Sequence, residues 1–221
     1  MRRTELSPTT ERLIARLTAE LEPVHPVPPL RWPATALIAC WLSLGTLLAL
    51  WPGHQAVGNP GFLPTILAMS LLAVGGAWAA LALCTPGRDT SVRIGFALCG
   101  LGIAAIVVLA FDEGFPPATF DYLRDTLWQD WICVGIATGL ALPLWGIILA
   151  FGRRAWILRH TAMAMAAGIG SVAAGAMLVH ALCAEGCARH ALGSHALAPI
   201  WGTSLLILPA LYALRRREPS E

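Results

Sequence analysis

Six apolar runs, each near twenty residues long, constrain this chain more than anything else in it: 33–51, 62–84, 92–111, 131–151, 158–182 and 197–214. A helix rises about 1.5 Å per residue, so a run of that length crosses a hydrocarbon core of about 30 Å. No Asp, Glu or Arg lies well inside any of them. At 57% hydrophobic and 13% charged over 221 residues, the chain carries more apolar side chain than one soluble core of this size could cover. The sequence therefore reads as an all-α integral membrane bundle of six transmembrane helices over 33–214, with a leader at 1–32 and a tail at 215–221. A soluble protein built from buried helices is the alternative, and the run lengths argue against it.

Arginine sets the expected orientation, since the chain has no lysine. Arg2, Arg3, Arg12, Arg16 and Arg31 fall in the leader, Arg88 and Arg93 between runs two and three, Arg153, Arg154 and Arg159 between four and five, and Arg215, Arg216 and Arg217 in the tail. The opposite loops hold Arg124 and Arg189. The positive-inside rule then predicts both termini in the cytoplasm of a multi-pass protein of the bacterial inner membrane. No cleavable signal peptide is expected, because a long polar and Pro-rich stretch, rather than a short apolar segment, follows Arg2 and Arg3.

In the leader, Ser7-Pro8 has the form of a helix start. Leu13, Ile14, Leu17 and Leu21 then recur at helical spacing, with Glu11, Arg12, Arg16 and Glu20 mostly opposite, which predicts a short cytoplasmic amphipathic helix. Pro23, Pro26, Pro28 and Pro29 end it and favour an extended spacer up to Arg31. Such a helix can lie on membrane lipid. Its polar face is mixed in charge, however, which suits a protein groove better than a lipid surface.

The loop between runs three and four carries Asp112, Glu113, Asp121, Asp125 and Asp130 and reads as a solvated external connection. Within the runs, Gly75-Gly76, Gly135 with Gly139, and Gly168, Gly170, Ser171 and Gly175 make small-residue faces for close helix packing. Pro64, Pro143 and Pro209 are expected to bend their helices.

Of the six cysteines, Cys40, Cys84 and Cys99 fall in or at the edge of apolar runs and read as small buried hydrophobes. Cys133 opens run four at the outer level, while Cys183 and Cys187 close run five at the same level. The connection between those runs is short, so they should be antiparallel neighbours, and a Cys133–Cys183 bridge is the natural pair in an oxidising compartment, with Cys187 as alternative or exchange partner. A third thiol there hints at exchange chemistry or metal binding. His180, Cys183, Cys187 and His190, spaced three, four and three apart, would share one face of an α-helix. That face is about 15 Å long, too long for one tetrahedral ion. A break at Gly186 would fold the four ligands together for zinc or copper.

The sequence shows no glycine-rich phosphate loop, no intramembrane carboxylate pair and no nucleophile with its base, so the expectation is that this is not an enzyme. Spans without charge argue against an ion pump or proton-coupled carrier. Ser43, Thr46 and Ser70 read as helix-packing hydroxyls rather than a permeation path.

The leucine-spaced leader helix running into Pro23-Val24-x-Pro26-x-Pro28-Pro29-x-Arg31, the six spans, Cys133 at the outer end of span four, His180-x-x-Cys183 at the end of span five and Trp201 after it resemble the NrsF-type membrane anti-sigma factors. The resemblance covers nearly the whole chain. It implies that the leader, through Leu13, Ile14, Leu17, Leu21, Pro23, Pro28, Pro29 and Arg31, holds an extracytoplasmic-function sigma factor at the membrane, with no direct contact to nucleic acid. It also implies that Cys133 and Cys183 are the outer pair that releases the factor under oxidative or heavy-metal stress; Cys187 and His190 are additions to that pattern. The rival reading is a membrane thiol oxidoreductase or metal-handling protein whose outer Cys/His residues act on a substrate.

Overall fold

The computed structural model describes residues 29–50, 62–112, 120–155, 157, 159–183 and 190–215, together with Thr9, Arg12, Leu13, Ala15, Arg16 and Thr18 of the leader. Among these residues, six helices are long and apolar enough to cross a membrane. They are α1 (Arg31–Ala49), α2 (Phe62–Leu83), α3 (Asp89–Asp112), α4 (Phe120–Gly152), α5 (His160–Leu182) and α6 (Ala198–Arg215), with a π-helical turn, Ala191–Ala196, leading into α6. The described residues are mostly helical, with no strand among them, as expected for an all-α transmembrane bundle.

α5 is the hub. Of its membrane-length window 78% is buried, against 6% for α1. Its composition explains this: Ala, Gly and Ser on every side let neighbouring backbones come close, which is how helices associate once lipid removes the hydrophobic drive between them. A Cβ on Gly76 of α2 would meet the Gly170 nitrogen of α5 at 2.5 Å, and a Cβ on Gly175 would run into the Ala137 carbonyl of α4. Gly168 and Gly170 of α5 and Gly75 of α2 are also closely approached. Gly135 and Gly139 are not: nothing among the described residues comes within 4 Å of a Cβ built on either. That face of α4, with Ile136 and Leu142, is exposed, so the pair does not form the internal packing face its spacing suggested. Spacing reports which residues share a side of a helix, not which side the bundle covers.

α4 begins at Phe120, well before the apolar run at 131, so part of the acidic connection is helical. Pro64 lies in the first turn of α2, where its missing N–H costs no helical bond, while Pro143 and Pro209 lie inside continuous helices. The turn from α2 to α3 is tight and passes through Gly87 at φ 78°, a left-handed conformation that suits glycine. Hydroxyls inside the helices bond back to their own backbone: Thr46 Oγ1 donates to Leu42 O at 2.8 Å and Ser70 Oγ to Ile66 O at 2.7 Å.

The core falls into two main clusters at opposite ends of the bundle. Leu81, Cys84, Phe151, Ile157, Met163 and Leu214 pack together at the end where α1 begins and α6 finishes. Met69, Val134, Ala137, Val172, Val179, Ala196 and Ala198 pack at the other. α1 is peripheral. Pro33 is its buried residue, and Trp41 Nε1 donates to the Ala174 carbonyl of α5 at 3.2 Å. An apolar cavity of about 400 Å³ lies between α1 and helices α2, α4 and α5.

Candidate functional site: a cysteine and histidine centre

At the second end of the bundle, four ligand-bearing side chains converge. One ligand atom from each of Cys133, Cys183, His190 and His195 lies within 4.8 Å of all the others. α4 supplies Cys133 and the end of α5 supplies Cys183; His190 opens the π-helical turn and His195 lies within it. His190 is central, its Nε2 lying 3.6 Å from Cys133 Sγ and 3.3 Å from Cys183 Sγ. Its other ring nitrogen, Nδ1, lies 2.9 Å from Ser194 Oγ.

Burial grades across the group. The two cysteines are half-buried, while His190 is 6% and His195 1% exposed. The His195 ring stands edge-on to His190 at 5.0 Å between centroids, and to His180 at 5.2 Å. Both His195 nitrogens are buried and have no hydrogen-bond partner among the described residues. A buried imidazole that pairs neither nitrogen carries a desolvation cost of about 1–3 kcal/mol per polar group, which a ligand to either nitrogen would offset. Beside the group Trp131 and Trp201 pack at 5.4 Å between ring centroids, an aromatic pair suited to a membrane–water boundary.

The sequence-predicted residues are distributed as follows. Cys133 and Cys183 are brought together, both as thiols. Cys183 and His190, two of the expected metal ligands, are in the group. His180 is buried against the His195 ring and is not one of the four, and Cys187 lies outside the described residues. Cys133 and His195 join Cys183 and His190 in the converging set. In the leader, Leu13 is helical and 56% exposed, Pro29 is exposed, and Arg31 is exposed and opens α1. Ile14, Leu17, Leu21, Pro23 and Pro28 lie outside the described residues.

His195 was hidden by the period used to read the sequence. Five residues after His190, it would lie about 140° round an α-helix from it. In a π-helix, which bonds i to i+5, residues five apart return to nearly the same face. The π-helical turn at Ala191–Ala196 thus places His190, Ser194 and His195 on one side. Ser194 was missed as well; its only sequence signal is its position one turn after His190.

Two soft sulfurs and two imidazoles in a largely buried pocket form a donor set that suits a tetrahedral metal ion. The same two sulfurs lie within 4.8 Å of each other, so that movement of the two side chains toward one another is what a disulfide between them requires. Comparison with known protein families, with curated proteins and with solved structures returns no match.

Proposed function

We propose that this protein is a membrane-bound anti-sigma factor of the bacterial inner membrane, with both termini in the cytoplasm. Its leader holds an extracytoplasmic-function sigma factor, and its Cys133, Cys183, His190 and His195 centre, facing the outside, senses oxidant or a soft metal such as zinc or copper. The observation that carries the reading is the convergence of the four ligand atoms within 4.8 Å. It joins α4, the end of α5 and the turn leading into α6 at one point, so a change of bonding there acts on the packing of the bundle.

The path to the leader runs through the hub. α5 touches α1 through the Trp41–Ala174 hydrogen bond, and α1 continues directly from the leader. α1 is the least buried of the spans and borders the apolar cavity, which leaves it room to shift. Turning a two-state element from mostly one form to mostly the other takes about 5.5 kcal/mol. A dithiol couple yields about 1.4 kcal/mol for each 30 mV of redox difference, so a difference of order 100 mV is sufficient.

The test is affinity capture with the detergent-solubilised full chain and with a chain lacking residues 1–30. The full chain is expected to retain a sigma factor, identified by mass, and the shortened one to lose it. Retention by both, or by neither, contradicts the proposal. The same centre also supports a second reading, a thiol oxidoreductase or metal-handling protein; its activity would survive removal of the leader.

A further inference from the structure

We propose that Cys133, Cys183, His190 and His195 bind one thiophilic d¹⁰ ion, zinc or cuprous, and that this ion and a Cys133–Cys183 disulfide are mutually exclusive occupants of the same two sulfurs. Metal loading then guards the pair against oxidation. The inference rests on the proposal that this centre is the sensing site, but its test uses no sigma factor.

The two distances from His190 to the sulfurs fit an ion, and the other ligand atoms, all within 4.8 Å of one another, have at most about 1 Å to close. Metal–sulfur and metal–nitrogen bonds of 2.0–2.3 Å place tetrahedral ligand atoms about 3.3–3.8 Å from one another. His190 Nε2 stands at 3.6 Å and 3.3 Å from the two sulfurs. Ser194 adds the outer contact common to metal-bound imidazoles: with Nδ1–H donating to Ser194 Oγ, the Nε2 lone pair is directed toward the sulfurs. His195 is the independent observation. Its ring is 1% exposed, neither nitrogen is paired among the described residues, and one of those nitrogens belongs to the converging group. A metal bond to that nitrogen satisfies it where water has little access.

The two chemistries exclude each other because both use the sulfur lone pairs. When zinc enters, the two thiols each release a proton to solvent and become thiolate ligands. Under hydrogen peroxide the metal-free pair reacts otherwise. One thiolate attacks a peroxide oxygen, the O–O bond breaks, and a sulfenic acid and water form after proton transfer. The second thiol displaces that oxygen, forming the S–S bond and a second water. Two electrons pass from the sulfurs to peroxide, and neither sulfur then remains a thiolate donor. Zinc at the centre draws electron density from the thiolates and so slows the first attack.

The experiment uses the full chain, purified in detergent, reduced and freed of metal, with Cys187→Ser as a parallel background. Zinc titration against a chromophoric chelator is expected to give one ion per chain, and cobalt in its place the visible absorption of a tetrahedral site with sulfur charge transfer. His195→Ala and Cys133→Ser should each weaken zinc binding at least a hundredfold, and Ser194→Ala about tenfold to a hundredfold. Circular dichroism checks that each variant keeps its helices. Loss of Cys133 and Cys183 thiols to hydrogen peroxide, followed by mass spectrometry, should slow at least tenfold when the wild-type chain is loaded with zinc. That comparison needs no variant. No zinc binding, binding indifferent to Cys133 and His195, or equal oxidation with and without zinc overturns the inference. If sigma-factor capture stays leader-dependent in that case, the proposed function stands without the metal; if zinc guards the thiols but no sigma factor is captured, the reverse holds.

Discussion

Both ends of this bundle hold buried or half-buried cysteine, yet they differ in kind. At the end shared by the start of α1 and the finish of α6, Cys84 is 0% exposed among Leu81, Phe151 and Leu214, and its thiol donates to the Ala80 carbonyl at 3.2 Å. At the other end Cys133 and Cys183 are half-buried, and an imidazole nitrogen lies within 3.6 Å of each. A thiol among apolar side chains behaves as a small hydrophobe. Beside histidine and within reach of water it becomes a nucleophile and a ligand. The chemistry of a cysteine here is set by its neighbours, and those neighbours are set by its level along the bundle.

The comparison can be broken most severely at the point that holds the two ends together. Gly170→Leu places a side chain against the backbone of α2 at Ala77, where neither helix can yield without separating. Overpacking typically costs about 1–3 kcal/mol, and a clash with backbone belongs at or above the upper limit. The expected outcome is loss of monodisperse protein in detergent, or a large fall in Tm, with both ends affected together.

Next in size is the functional contrast. Replacing Cys133 and Cys183 together by Ser should abolish stress-dependent release of the bound partner while leaving its basal binding, as read by capture before and after peroxide. Cys84→Ser should leave the release intact and cost about 1 kcal/mol of stability, since the hydroxyl can still donate to the Ala80 carbonyl. If the Cys84 variant loses the response and the double variant keeps it, the two ends have been assigned the wrong way round. The smallest effect concerns the rim of the reactive end. Trp201→Ala removes the ring pair with Trp131 and should lower stability by about 0.5–1.5 kcal/mol, measured as Tm in detergent.

Much of this was legible in the sequence, for reasons that also explain what was not. The six spans are visible because lipid demands long apolar runs and little else. The meeting of Cys133 with Cys183 follows from a short link that makes runs four and five antiparallel neighbours. Three features escaped. The helical start of α4 at Phe120 is polar and reads as loop, because hydropathy marks where a helix enters lipid rather than where it begins. Gly135 and Gly139 share a helix face that nothing among the described residues covers. His195 joins the centre through a π-helical turn, whose period a search at 3.6 residues cannot detect. The leader residues expected to bind a partner fall largely outside the described residues, and that expectation rests on the sequence.

The central claim is that the reactive end faces the oxidising side of the membrane, opposite the leader. Treating intact cells with a reductant and then a membrane-impermeant thiol reagent, with the labelled positions read by mass spectrometry, tests it most directly. The account predicts that Cys133 and Cys183 are labelled in intact cells; if they are labelled only after the inner face is opened, the claim is contradicted.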